Sequence, residues 1–227
     1  MDEIKLSEFE IIDLELPTFE IFPNFETGDL ILFSNKHWWF SKLIERCTNS
    51  QFSHIGIIIN NPEFLNGEKK QGTYLLESTG FDNIIDSEDS EYKFGVQIVP
   101  LRERLKKYFE NEGLVFIRSL GCRRDNNFYK KLGKAHSIVH NRPYDTDPQD
   151  WIKAKFDLEI GQVHNNRKFF CSALVAFIYV YLGLLPVSTP WTVIRPCDFD
   201  DNNRSRLHFE NCVLEPLEKF NPNWLEL

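Results

Sequence analysis

Residues 54–60 read HIGIIIN, a β-branched run that opens on a histidine and closes on the turn signal Asn60-Asn61-Pro62. A short apolar run with such an end reads as a buried strand. Side chains alternate across a strand, so His54 shares a face with Gly56 and Ile58. Gly56 is expected to leave space beside the imidazole, which a partner helix could use.

Outward from this strand, Gly28-Asp29 introduces LILF (30–33), and TYLLES (73–78) returns after a polar stretch containing Pro62, Gly67 and Gly72. That stretch is expected to be a hairpin loop. VQIVP (96–100), LVFIRSL (114–120) and LHFENCVLEPL (207–217) read as further strands. Helical spacing appears at 38–46, at 101–112 with Leu101, Leu105, Tyr108 and Phe109 on one face, and in a short piece near 149–156. Asp125 is placed to cap a helix over 126–140 that ends at Asn141-Arg142-Pro143, and a strongly apolar helix over 170–182 is stopped by Gly183 and Pro186. These elements predict an α+β fold, a mostly antiparallel sheet with helices packed at its side. Residues 1–26 read as an N-terminal extension and residues 27–227 as one domain.

Composition narrows the function classes. The 227 residues are 42% hydrophobic, with 20 Phe, and the single Met is residue 1, so the core is expected to be built from Ile, Leu, Val and Phe. A net charge of −8 disfavours binding to phosphate backbones. The basic cluster of Arg123, Arg124, Lys130, Lys131 and Lys134 reads as a solvated helix face, and the acidic stretch 82–93 as a solvated loop. No run of 18 apolar residues suggests a membrane span. The acidic N-terminus reads as lacking a secretory signal, so an intracellular, reducing setting is expected. The Phe-, Asn- and Ile-rich usage fits an AT-rich genome, as of a large DNA virus or a microbe.

Three residues are candidates for chemistry. Cys171 opens the apolar helix after the polar run NNRK, and a helix N-terminus offers unpaired N–H groups and positive potential that favour a thiolate and an oxyanion. Position alone leaves it between core residue and nucleophile. The other cysteines, Cys47, Cys122, Cys197 and Cys212, have wide spacing and no zinc-finger pattern, and read as small core residues. His54 stands at a strand mouth, where an exposed, idle histidine is equally in keeping. Glu77, on TYLLES, would lie beside the imidazole and fix its tautomer, or else face water from an edge strand. His37, His164 and His208 carry no pattern. His136 and His140 have metal-binding spacing on one helix face, but no carboxylate or Cys stands near them in sequence.

In order, GDLILF (28–33), SHIGIII (53–59), LLES (75–78) and FFCSALVAFIY (169–179) resemble the circularly permuted NlpC-type papain-like superfamily, and within it the YiiX-like and poxviral papain-like branch. RPYD (142–145) and TVIRPCDF (192–199) resemble later segments of that family, so the likeness spans about residues 27–200. The histidine precedes the cysteine by 117 residues, which is the permuted order. The resemblance implies Cys171 as nucleophile, His54 as base, Glu77 as orienting acid and Tyr144 as a pocket residue. It implies a permuted papain-like fold with the nucleophile helix packed against the sheet, and acyl transfer through a thioester with no metal or other cofactor. The expected substrates are peptides or acyl-amino acids. A lipid-directed acyltransferase or phospholipase of the lecithin:retinol acyltransferase-like type shares the permuted order, but such proteins place an Asn before the Cys and a charged or His-rich stretch after it, which FFCSAL lacks. A third class is a non-catalytic binding domain that retains the fold.

Overall fold

The computed structural model describes residues 24–34, 51–63, 70–80, 84–144, 170–200 and 207–225. The expected helices at 38–46 and 149–156, and most of the N-terminal extension, lie outside these residues.

The strands are β1 (Leu30–Ser34), β2 (His54–Asn60), β3 (Thr73–Thr79), β4 (Gly95–Pro100), β5 (Leu114–Arg118), β6 (Leu120–Gly121), β7 (Val213–Leu214) and β8 (Glu218–Lys219). The helices are α1 (Leu101–Glu110), α2 (Asn126–Val139) and α3 (Cys171–Leu182). Six strands form one antiparallel sheet in the order β4-β3-β2-β1-β5-β8, and β6 pairs with β7 in a separate ribbon. The architecture is α+β, as expected.

Strand alternation divides the core into two layers. Leu30, Leu32, Ile55, Ile57, Ile59, Leu76 and Ile98 face α2 and α3. Ile31, Phe33, Ile58, Leu75, Val99, Val115 and Ile117 face the other way, with Leu101 and Leu105 of α1. Both faces of β1 and β2 are thus covered, which explains why LILF and HIGIII read as unbroken apolar runs.

The Gly28-Asp29 corner joins the sheet to the small ribbon. Gly28 has φ +103°, and a Cβ there would meet the Leu120 side chain at 3.0 Å. Asp29 Oδ2 accepts from Glu26 N, and its Oδ1 accepts from Leu120 N and Arg124 Nη2. Arg124 also donates to the Thr27 and Leu120 carbonyls and pairs with Glu26. It is therefore not part of a solvated face: its planar fork of donors serves a buried carboxylate and loop carbonyls together. Arg123 alone of the two is exposed.

Helix ends follow the expected chemistry. Asp125 accepts from Asn127 N and Phe128 N at the start of α2. Gly183, at φ +80°, closes α3 in the left-handed conformation.

Two expectations need correction. The strand read at 207–217 is realised only as Val213–Leu214, because Arg118 takes the carbonyls of Leu214 and Glu215 as acceptors and β8 then crosses to the main sheet. The acidic segment 82–93 is, over its described residues, no solvated loop. Asp86 is buried, accepting from Ile98 N through Oδ1 and from Glu88 N and Asp89 N through Oδ2. A short carboxylate can cap its own turn and a strand end together, and that outweighs solvation here.

Candidate active site

Cys171 is the first residue of α3 and is buried. Phe170 precedes it in extended conformation and supplies no side-chain cap to the first-turn N–H groups of this helix. Ser172 Oγ donates instead to Ile194 O at 2.8 Å, tying the helix start to the segment that leads into Arg195–Phe199.

His54 begins β2. Its ring lies against Phe33, with centroids 5.4 Å apart, and stacks parallel to Tyr108 of α1 at 6.4 Å. The imidazole therefore belongs to the α1 layer, whereas Cys171 belongs to the core on the α2 and α3 layer. The two meet at the sheet margin, where the Cys171 thiol is close enough to the imidazole to favour its charged form. His54 Nε2 lies 2.6 Å from Glu77 Oε2, which leaves Nδ1 for the sulfur. The expected route to this meeting was different. The space at Gly56 is filled by Leu75 of the neighbouring strand, whose side chain a Cβ would meet at 2.8 Å. Gly56 makes room for β3 packing, not for a helix.

Glu77 is wholly buried on β3 and opposite Gln97 in register. Its Oε1 accepts from Gln97 Nε2 at 2.9 Å, from Arg104 Nε at 3.0 Å and from Arg104 Nη2. Burial alone would raise its pKa; the Arg104 charge, then the His54 hydrogen bond, hold it at about 2. Burial would likewise push the His54 imidazolium down, but the hydrogen bonds to Cys171 and Glu77 and the Glu77 charge hold its pKa at about 9. The fold thus brings Cys171, His54 and Glu77 together, with His54 hydrogen-bonded to Glu77 and close to Cys171.

Arg104, Gln97 and Tyr108 were not singled out as site residues. A signal for the first was present: Arg104 interrupts the Leu101, Leu105, Tyr108 stripe of α1, and a cation inside an apolar stripe needs a buried partner. Gln97, on the same side of β4 as Val99, is a similar intrusion. Tyr108 was read as a packing residue, and it stacks on Phe33 at 4.2 Å while flanking the imidazole.

Tyr144 is buried against Gly80, whose notional Cβ would meet its ring at 3.0 Å, and it meets Phe94 edge to face. Its nearest link to the site is through Gly80, three residues beyond Glu77. His37 and His164 lie outside the described residues, and His208 lies on an irregular, exposed stretch.

His136 and His140 do acquire carboxylates, contrary to the reading from sequence proximity. The 84–93 segment brings Glu88 Oε2 to within 3.0 Å of His136 Nε2 and 3.5 Å of His140 Nε2, and Asp89 Oδ2 to 2.9 Å from His140 Nε2. Lys93 in turn pairs with Asp86 and Asp89. These are polar contacts that tie the loop to the helix; among the described residues no His, Cys, Asp and Glu group is arranged to hold a metal ion. No helix of the described residues is long and apolar enough to cross a membrane.

No protein-family model matches the chain, and no curated protein matches it. Among solved structures, the chain is similar to the metalloprotein YiiX of Escherichia coli O157:H7 (DUF1105), with 16% identity and a TM-score of 0.47 over 88% of this chain and 98% of that one.

Proposed function

We propose that the protein is a permuted papain-like cysteine hydrolase, with a catalytic domain over residues 27–227, that cleaves amide bonds of peptides or acyl-amino acids. The observation that carries this reading is His54, held by Glu77 at 2.6 Å and standing close to Cys171. A nucleophile, a base and an orienting acid in line are the parts that acyl transfer requires. The permuted order is supported by β1 and β2 preceding α3 in the chain while packing beside it.

In this reading His54 takes the proton of the Cys171 thiol, and the thiolate attacks the carbonyl carbon, so that a C–S bond forms as the carbonyl electrons move onto oxygen. The N–H groups at the start of α3 stabilise that oxyanion. A His54 pKa of about 9 favours the imidazolium so formed, and it gives its proton to the departing amine as the C–N bond breaks. His54, now neutral, takes a proton from water; the hydroxide attacks the thioester, the C–S bond breaks and the acid leaves. Glu77 fixes the ring orientation throughout and stabilises the imidazolium, while Arg104 and Gln97 keep Glu77 ionised. Tyr144 is assigned to the substrate pocket beyond Gly80.

The test is labelling of the full chain with an electrophilic thiol probe, followed by peptide mapping. Cys171 should react first, and His54→Ala should slow that reaction about 100-fold. Equal labelling of all five cysteines, or unchanged labelling in His54→Ala, would overturn the assignment. A panel of peptides, acyl-amino acids and phospholipids then identifies the bond: release of an amine supports the amidase reading, and release of a fatty acid from phospholipid alone would replace it with the lipid-directed one.

A further inference from the structure

The β6–β7 ribbon pairs Leu120 with Leu214 and Gly121 with Val213. The pairing ends there, and one further step in the same register would set Cys122 opposite Cys212. Glu215 N donates to Ser119 O at 2.9 Å, which makes Ser119 and Glu215 a hydrogen-bonded pair. Antiparallel pairs alternate in type, so Leu120 with Leu214 occupies a non-hydrogen-bonded position, and the continued register would give Cys122 and Cys212 the next one. There the Cα atoms approach to about 4.5 Å, inside the range of about 4.4–6.8 Å that a disulfide spans. Alternation also puts the two cysteines on the face of Leu120 and Leu214, which are buried. Accordingly both cysteines pack, half-buried, against that core. Cys122 is close enough to Cys212, and both are close enough to the Tyr179 hydroxyl, for their charges to be felt there, while Cys212 Sγ donates to Leu184 O at 3.6 Å.

We propose that Cys122 and Cys212 form a reversible disulfide that fastens the C-terminal ribbon strand to the domain. The pair is separate from the candidate nucleophile: Tyr179 stands eight residues along α3 from Cys171, about 12 Å by helical rise. The bridge closes a loop that begins before α2 and ends after α3, so it encloses the helix that carries Cys171. The oxidant is a small-molecule disulfide of the glutathione class. One cysteine thiolate attacks it, forming a mixed disulfide and releasing one thiolate; the second cysteine thiolate attacks the protein sulfur and releases the other. Two electrons pass from the cysteine pair to the reagent and two cysteine protons are lost. Burial pushes both thiols up, Cys212 to about 11 with the neighbouring Cys122 adding to the effect. Closure is therefore slow at neutral pH and faster as the solution becomes alkaline.

The experiment equilibrates the full chain with oxidised glutathione, quenches with acid and an alkylating agent, and maps peptides without reduction. The expected result is a Cys122–Cys212 cross-linked peptide, a rise in Tm of about 5–10 °C, and reversal of both by dithiothreitol. Cys122→Ala should leave Cys212 as a glutathione mixed disulfide with no rise in Tm. Both cysteines remaining as thiols or as separate mixed disulfides at saturating oxidant would overturn the proposal, as would a bridge that leaves Tm unchanged. Should Cys122→Ala fail to fold, dibromobimane on the wild-type chain decides the same point: it fluoresces when one molecule joins two neighbouring thiols. Bridging of Cys122 to Cys212 supports the pairing, and its absence refutes it.

Discussion

Arg104 donates both Nε and Nη2 to a single oxygen of Glu77, leaving the other oxygen of that carboxylate to His54. Both members of the ion pair are buried, and the Arg104 charge is what holds Glu77 ionised there. Replacing Arg104 with Met removes the cation and leaves a buried carboxylate held only by Gln97 and His54. The expected cost is about 3 kcal/mol, read from the urea unfolding midpoint. Arg104→Lys keeps the charge but loses the planar fork, and should fall between the two.

The titration of His54 and Glu77 gives a second prediction. Glu77 is held below the ordinary carboxylate value of 4.5, so its contribution to stability is present above 4.5 and lost as pH falls toward about 2. His54 is held above 6.5, so its contribution is complete below 6.5 and lost as pH rises through about 9. From this pair, stability should be greatest between about 4.5 and 6.5 and decline on either side. NMR of the His54 ring should show a midpoint near 9, and Glu77→Gln should lower it. An unchanged midpoint in that variant would refute the coupling.

Gly56 supplies a third. A methyl group there meets three atoms of Leu75 at 2.8 to 3.1 Å. Gly56→Ala should therefore destabilise by about 1–3 kcal/mol through overpacking. Gly56→Ala combined with Leu75→Ala should recover part of the packing penalty, measured as a double-mutant cycle.

At the start of α2, Asp125 accepts from two backbone N–H groups at 3.0 Å. Asp125→Ala should cost about 1 kcal/mol, and Asp125→Asn much less, by thermal unfolding.

Much of this layout was legible in the chain. HIGIIIN and TYLLES became β2 and β3 because their apolar spacing matched a sheet covered on both sides, and Asp125 and Gly183 marked helix ends through backbone chemistry local to a few residues. The line from Cys171 through His54 to Glu77 was legible as a set of residues in order. How they meet was not. His54 and Glu77 sit on the α1 face and Cys171 on the opposite layer, and no local pattern encodes which end of a helix reaches a sheet margin. Asp86 and Glu88 were misread because an acidic run looks solvated until a strand end or a histidine from elsewhere in the chain claims it. Arg104 was the reverse case, a charge whose partner lay 27 residues away on another element.

The division of the site between two layers has a consequence for folding. Neither layer alone holds a thiol next to an imidazole, so the pair exists only when α3 is seated on the sheet. Probe reactivity at Cys171 is then a gauge of docking, falling in step with separation of α3 even while β1, β2 and β3 stay paired. A protein that kept its strands but released this helix would be inert and still rich in β-structure, which makes thiol kinetics and circular dichroism two independent clocks on one unfolding event.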